Sequence, residues 1–126
     1  MLKYNIIARK DPGDANAEPK FYPILKSVDR IDTAYIAREL SEKSSVSEGD
    51  VYSIIINLFK LIPKELAHGR VIGLGDLGSL SLKANAKGSD TAEEVSSDDI
   101  EKVSVRFRPT KAFYKMLGTL KFERNA

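Results

Sequence analysis

Between Val51 and Leu66 the chain places apolar side chains on nearly every face of what its periodicity predicts to be a helix. Val51, Tyr52, Ile54, Ile55, Ile56, Leu58, Phe59, Leu61, Ile62 and Leu66 leave no continuous polar stripe. A helix that is apolar all round has to be buried all round. The chain has 126 residues, 42% of them apolar, which suits one domain with a modest core. Such a core does not wrap this helix alone. The sequence therefore predicts a helical body completed by a partner subunit, with Val51, Ile54, Ile55, Leu58, Phe59 and Ile62 in the dimer core.

The neighbouring segments supply the rest of an α+β chain. Asp32 is placed to cap a first helix running to about Lys43, with Ile31 before it and Ile36 at the fourth helical position as a hydrophobic staple. After Ser44-Ser45 the device repeats: Val46 staples to Val51, Ser47 caps and Asp50 takes the box position. This second helix is expected to reach about Ala67. Pro63 must kink it or thin its hydrogen bonding, and His68-Gly69 ends it. Upstream, residues 2–10 and 21–28 read as a hairpin around the turn Asp11-Pro12-Gly13-Asp14, with Pro23 pushing the second strand towards a sheet edge. Downstream, Val71-Ile72 and Leu80-Ser-Leu82 are strand-like, joined by glycine turns. Leu80–Lys87 and Lys102–Arg108 form a two-stranded arm, in which Val103, Val105 and Phe107 alternate with Ser104, Arg106 and Arg108. Thr110 caps a short helix, Lys111–Leu117, ended by Gly118, and Thr119–Phe122 is a candidate strand. The chain is thus expected to be a single domain: a β extension (1–30), a helical dimerisation body (31–68), a sheet and arm (69–109) and a C-terminal helix and tail (110–126).

Charge is segregated along this order. The formal net charge is +2, yet residues 90–102 sum to −5 and residues 103–126 to +5. Within 90–101 stand six carboxylates and no cation, at the tip between two basic strands. Regional sign matters more than the total when the partner is a polyanion.

From Gly69 to Leu82 the sequence reads Gly-Arg-Val-Ile-Gly-Leu-Gly-Asp-Leu-Gly-Ser-Leu-Ser-Leu, and from Val105 to Lys115 it reads Val-Arg-Phe-Arg-Pro-Thr-Lys-Ala-Phe-Tyr-Lys. Two helices, the first motif, a basic hairpin and the second motif, in that order, resemble the bacterial histone-like HU/IHF superfamily. The chain looks most like the longer HU-related branch with an added N-terminal segment. Asp76-Leu-Gly-Ser-Leu80 is similar to the family's Gly-Phe-Gly-Thr-Phe-like turn, and Val105-x-Phe107-x-x-x-Lys111 to its arm-to-helix junction. The resemblance implies an intertwined homodimer, or a heterodimer with a paralogue, whose β-arms embrace double-stranded DNA at the minor groove. By position it implies an arm cation at Lys83 and cations at the arm base and last helix at Arg108 and Lys111. Lys87, Arg106 and Lys115 lie nearby. Family arms end in a proline that wedges into a base step. Here residues 88–99 hold neither proline nor cation, and carboxylates beside phosphates oppose binding. The resemblance therefore implies the saddle without the wedge.

Other chemistries find little support. There is no cysteine and one histidine, His68, which reads as a helix-end cap, since no further ligands cluster with it to make a metal site. Gly73-Leu-Gly75-Asp-Leu-Gly78 matches a phosphate-loop pattern but lacks the strand–helix context. The helix–Ser-Ser–helix unit is a poor base reader because its second helix offers aliphatics. No catalytic constellation is visible, so no enzyme, cofactor, small-molecule substrate or metal is expected. The aromatics Tyr4, Phe21, Tyr22, Tyr52, Phe59 and Phe107 are expected in the core. Met1-Leu-Lys-Tyr-Asn lacks a secretory h-region, and no apolar run spans a membrane. The expected location is cytoplasmic, at the nucleoid.

The expected function is architectural, largely sequence-independent DNA binding through Lys83, Lys87, Arg106, Arg108, Lys111 and Lys115. The alternative is an HU-like scaffold redeployed for protein interaction or assembly. The acidic tip has three open readings: a decoy competing for the flanking cations, a surface for a basic partner, or a solvated loop.

Overall fold

The structure, a computed structural model, describes residues 1–125. It is mixed α+β, with three α-helices and two three-stranded sheets. The chain forms two compact units: Met1–Asp32 together with the residues from Met116 onward, and Thr33–Lys115.

In the first unit β1 (Leu2–Arg9) is central, with β2 (Lys20–Leu25) antiparallel on one side and β6 (Phe122–Arg124) parallel on the other. The hairpin expected from the sequence is present. Its second strand stops at Leu25, short of Val28, with one further ladder bond from the Lys26 N–H to the Lys3 carbonyl at 2.8 Å. Pro23 does lie on an edge strand, opposite Ile6. The tail strand forms three residues later than Thr119–Phe122 predicted. Thr119 is held instead in a turn, its N–H and hydroxyl both donating to the Met116 carbonyl.

In the second unit α1 (Thr33–Glu42) and α2 (Glu48–Ala67) pack around Ala37, Val51 and Ile55, with Ile36 against them. Helix α1 starts immediately after Asp32. Ser47 caps α2, its side chain accepting from the Asp50 N–H at 3.3 Å. Pro63 leaves the Phe59 carbonyl without its helical donor, yet the helix continues to Ala67. Gly69 then takes φ +79, and the N–H groups of His68, Gly69 and Arg70 close on the Glu65 and Leu66 carbonyls. His68 is the expected helix-end cap: its Nδ1 lies 2.8 Å from the Lys64 carbonyl oxygen.

A second sheet follows, β3 (Ile72–Gly73), β4 (Gly78–Ala86) and β5 (Ile100–Pro109), all antiparallel. Its long hairpin extends beyond the predicted arm strands at both ends of β5. Helix α3 (Lys111–Leu117) starts where Thr110 was expected to cap it: the Thr110 hydroxyl accepts from the Phe113 N–H and donates to the Asp76 carbonyl. The glycine-rich stretch leads into β4, not a helix, so it is not a phosphate loop. Gly78 is needed there, since a Cβ at that position would drive into the Arg108 carbonyl oxygen and stand 2.9 Å from the Phe107 ring.

One expectation fails. The six aromatics predicted to be core are not buried in the single chain: Phe21 is 70% exposed, Phe59 49% and Phe107 41%. Tyr22 and Tyr52 are exposed as well, and Tyr4 is only half-buried. The buried apolar side chains are Ala37, Val51, Ile55 and Leu66. One chain provides too few layers to cover the rest.

Candidate nucleic-acid interface

The β4–β5 ladder decides how the arm's charge is arranged. Facing residues in an antiparallel pair share a face, and alternate residues point to opposite faces. Leu80 faces Phe107, Leu82 faces Val105 and Ala84 faces Val103, which gives one apolar face. Ser79 faces Arg108, Ser81 faces Arg106, Lys83 faces Ser104 and Asn85 faces Lys102, which gives the other. Lys83, Arg106 and Arg108 are thus brought onto one basic face, and all three are exposed. Serines and an asparagine fill the positions between, small hydrogen-bonding groups that leave the cations clear.

Lys102 belongs to the same face and was not among the residues singled out from sequence. The signal was there: Lys102, Ser104, Arg106 and Arg108 follow a strict period of two. Lys102 was hidden by the acidic run that abuts it. From Arg108 to Lys102 the cations extend about 20 Å along the strand. The described residues contain one salt bridge, Arg70 with Glu65, so no arm cation is neutralised by a close carboxylate.

Lys111 and Lys115 lie one turn apart on one side of α3 and are exposed. Phe113, between them in sequence, packs edge-on to Phe107 with centroids 6.3 Å apart. Together with the Thr110 hydrogen bonds, this fixes the start of α3 against the arm base. Lys87 stands apart from the other cations. It lies just beyond the last ladder pair, its N–H donating to the Asp99 carbonyl at 3.1 Å, at the border of the acidic run.

The acidic run is folded. Two short 3-10 turns, Ala92–Glu94 and Ser97–Asp99, carry most of its carboxylates. The second is closed by a capping box: the Asp99 carboxylate accepts from the Ser96 N–H at 3.0 Å, and the Ser96 side chain accepts in return from the Asp99 N–H. The sequence carried this signal too, as Ser96-Ser-Asp-Asp99. Between Asn85–Lys102 and Ala86–Ile100 the register shifts, so Glu101 is an extra, bulged residue. Bulges bend a strand and increase its twist.

On α2, Val51 and Ile55 are used in the core with α1, and Ile62 is half-buried. Ile54, Leu58, Phe59 and Leu61 remain exposed, Ile54 at 63%. Elsewhere, the N-terminal sheet has an open apolar hollow of about 560 Å³ lined by Tyr4, Ile6, Phe21, Pro23, Leu25 and Phe122. No group of three or more potential metal ligands stands together among the described residues, and none of their helices is long and apolar enough to cross a membrane.

A family model described as an HU domain fused to wHTH, Ig, or glycine-rich motif matches residues 1–124. The chain belongs to the HU-HIG family. The match bears out the HU/IHF resemblance seen in Gly69–Leu82 and Val105–Lys115 and extends it across the N-terminal segment. The fold is similar to that of a crystal structure from Bacteroides vulgatus ATCC 8482 named "Putative bacterial DNA binding protein", with a TM-score of 0.64 at 13% identity. The superposition covers 98% of this chain and 47% of that one, so the HU-HIG chain spans about half of that protein's length. Among curated proteins, none matches this chain in sequence.

Proposed function

We propose that this HU-HIG chain is an architectural DNA-binding protein that acts as a dimer at the nucleoid and contacts the phosphate backbone with little base specificity. The observation that carries this reading is the sorting of Lys83, Lys102, Arg106 and Arg108 onto one exposed face of the β4–β5 hairpin. Lys111, Lys115 and, at the tip border, Lys87 extend it. Lysines and arginines that displace condensed counterions bind any duplex sequence. Serine and asparagine between them suit contacts to phosphate and sugar, which position a protein without reading bases. The family supports the DNA partner, and the exposed face of α2 supports the dimer. The whole chain, 1–126, then works as one HU-like module, with residues 31–68 as its dimerisation body. Sharp bending by an inserted wedge is not part of the reading, because the tip presents carboxylates where an apolar wedge would enter.

A duplex mobility-shift assay at two salt concentrations tests it. Tight, sequence-blind binding at ~50 mM salt that weakens steeply by ~200 mM is expected. Absence of duplex binding at the lower salt overturns it and favours the second reading, a scaffold for protein interaction or assembly. The capping-box order of the acidic tip favours that alternative, since a folded carboxylate surface is presented ready for a basic partner.

A further inference from the structure

The N-terminal sheet gathers cations at the two ends of one face. Its apolar face forms the hollow lined by Tyr4, Ile6 and Phe21. Its other face carries Lys3 and Lys26 at one end and Arg9 and Lys20 at the other, with Asn5, Ile7, Tyr22 and Ile24 between them. Arg9 faces Lys20 directly across the β1–β2 ladder. The 2.8 Å bond from the Lys26 N–H to the Lys3 carbonyl places those two lysines opposite each other as well. Like charges directly opposite across a ladder destabilise it, and here two such pairs sit on one face. All four side chains are exposed. The carboxylates nearby are Glu123, beside Lys3 on β6, and Asp11 and Glu18 around the hairpin loop. None of these makes a salt bridge, and the Asp11 carboxylate accepts instead from the Gly13 N–H at 2.9 Å.

Folding gains nothing from these pairs, whereas a bound polyanion relieves both. All four cations stay in solvent, and Asn5, Ile7, Tyr22 and Ile24 separate the two like-charged pairs without neutralising either. We propose that this face is a second contact surface for the phosphate backbone of nucleic acid, separate from the β4–β5 arm, with Lys3, Arg9, Lys20 and Lys26 as its cations. The two charge pairs lie six residues apart on β1, about 20 Å along the strand, a length over which a duplex presents several phosphates on one side. The Asn5 and Asn125 side chains, joined by a 3.0 Å hydrogen bond, add amide groups on the same face.

This inference rests on the DNA-binding reading, and its test separates the two. In the full chain, Lys20→Glu with Lys26→Glu is compared with Arg106→Gln on the arm, by duplex affinity over a salt series and by Tm. The sheet variant is expected to bind at least tenfold more weakly at low salt. Its salt slope should be lower by roughly 2, or about 0.9 for each phosphate the protein no longer neutralises. Its Tm is expected to be equal or higher, since each new carboxylate faces a cation. Unchanged affinity and slope in the sheet variant, with Arg106→Gln impaired, overturns the second surface and leaves the arm reading intact. No duplex binding by the unmodified chain overturns both. If Lys20→Glu with Lys26→Glu lowers Tm, the variant Lys20→Gln with Lys26→Gln decides. Unchanged binding by this neutral pair overturns the proposal; weakened binding at unchanged Tm upholds it.

Discussion

Gly78 shows how little freedom a single position leaves at the arm base. Its hydrogen takes the space between the Arg108 backbone and the Phe107 ring. Gly78→Ala is expected to destabilise the fold by about 1–3 kcal/mol, the usual cost of forcing an extra methyl into a packed site, and denaturant titration measures it. Thr110 is a second such position. Thr110→Ala loses both the α3 cap and the bond to the Asp76 carbonyl, and a loss of about 1–2 kcal/mol is expected from the same titration. At the surface the expected effect is on binding and not on stability: Lys102→Gln should flatten the DNA salt slope by about 0.9 and leave Tm in place. Side chains with short-range partners were legible in the sequence. Ser47, Gly69 and Thr110 each cap or end a helix within a few residues, and each does so in the structure. Lys102 was harder to see, because its neighbours in space are set by cross-strand register and its neighbours in sequence are acidic.

At the scale of elements, the arm is a basic hairpin ending in an ordered acidic cap. The decoy reading of that cap requires carboxylates to compete for the cations, yet in this structure they form no salt bridges with them. A test must spare Asp99, which holds the capping box. Asp98→Asn with Glu101→Gln should tighten duplex binding if the cap repels DNA through the field alone, an effect that vanishes at high salt. Equal affinity at every salt concentration marks the cap as indifferent to DNA. Helices and hairpins were legible because their patterns are local. The parallel pairing of β6 with β1 was not: it joins the two ends of the chain through three residues, Phe-Glu-Arg, with no turn to announce it. The exposed aromatics were misjudged for the opposite reason. Their composition says burial, but the single chain leaves them exposed or half-buried.

At the scale of the whole molecule, α2 carries the prediction. Ile54 and Leu58 lie one turn apart, exposed in the single chain. If the chain is a monomer, Ile54→Asp with Leu58→Asp is a pair of surface changes, each within about 0.5 kcal/mol of neutral. If α2 is the dimer seam, the same changes bury charge without partners and abolish association. Light scattering coupled to size exclusion is expected to give twice the chain mass of 14.0 kDa for the native protein and a monomer or unfolded material for the variant. A native protein at single mass removes the dimer.

Pro23 has a consequence for solubility. The Lys3–Lys26 hydrogen bond sets the phase of the β1–β2 ladder, so that Ile6 and Pro23 fall at a non-hydrogen-bonded pair. The nitrogen of Pro23 therefore points away from β1, towards the open edge of β2. Its missing N–H costs the sheet nothing, and a foreign strand approaching that edge finds a gap in mid-strand. Edge strands with a regular row of donors template amyloid-like growth. This one interrupts the row at its centre, between the exposed Phe21 and Leu25, and so blunts that edge against strand addition.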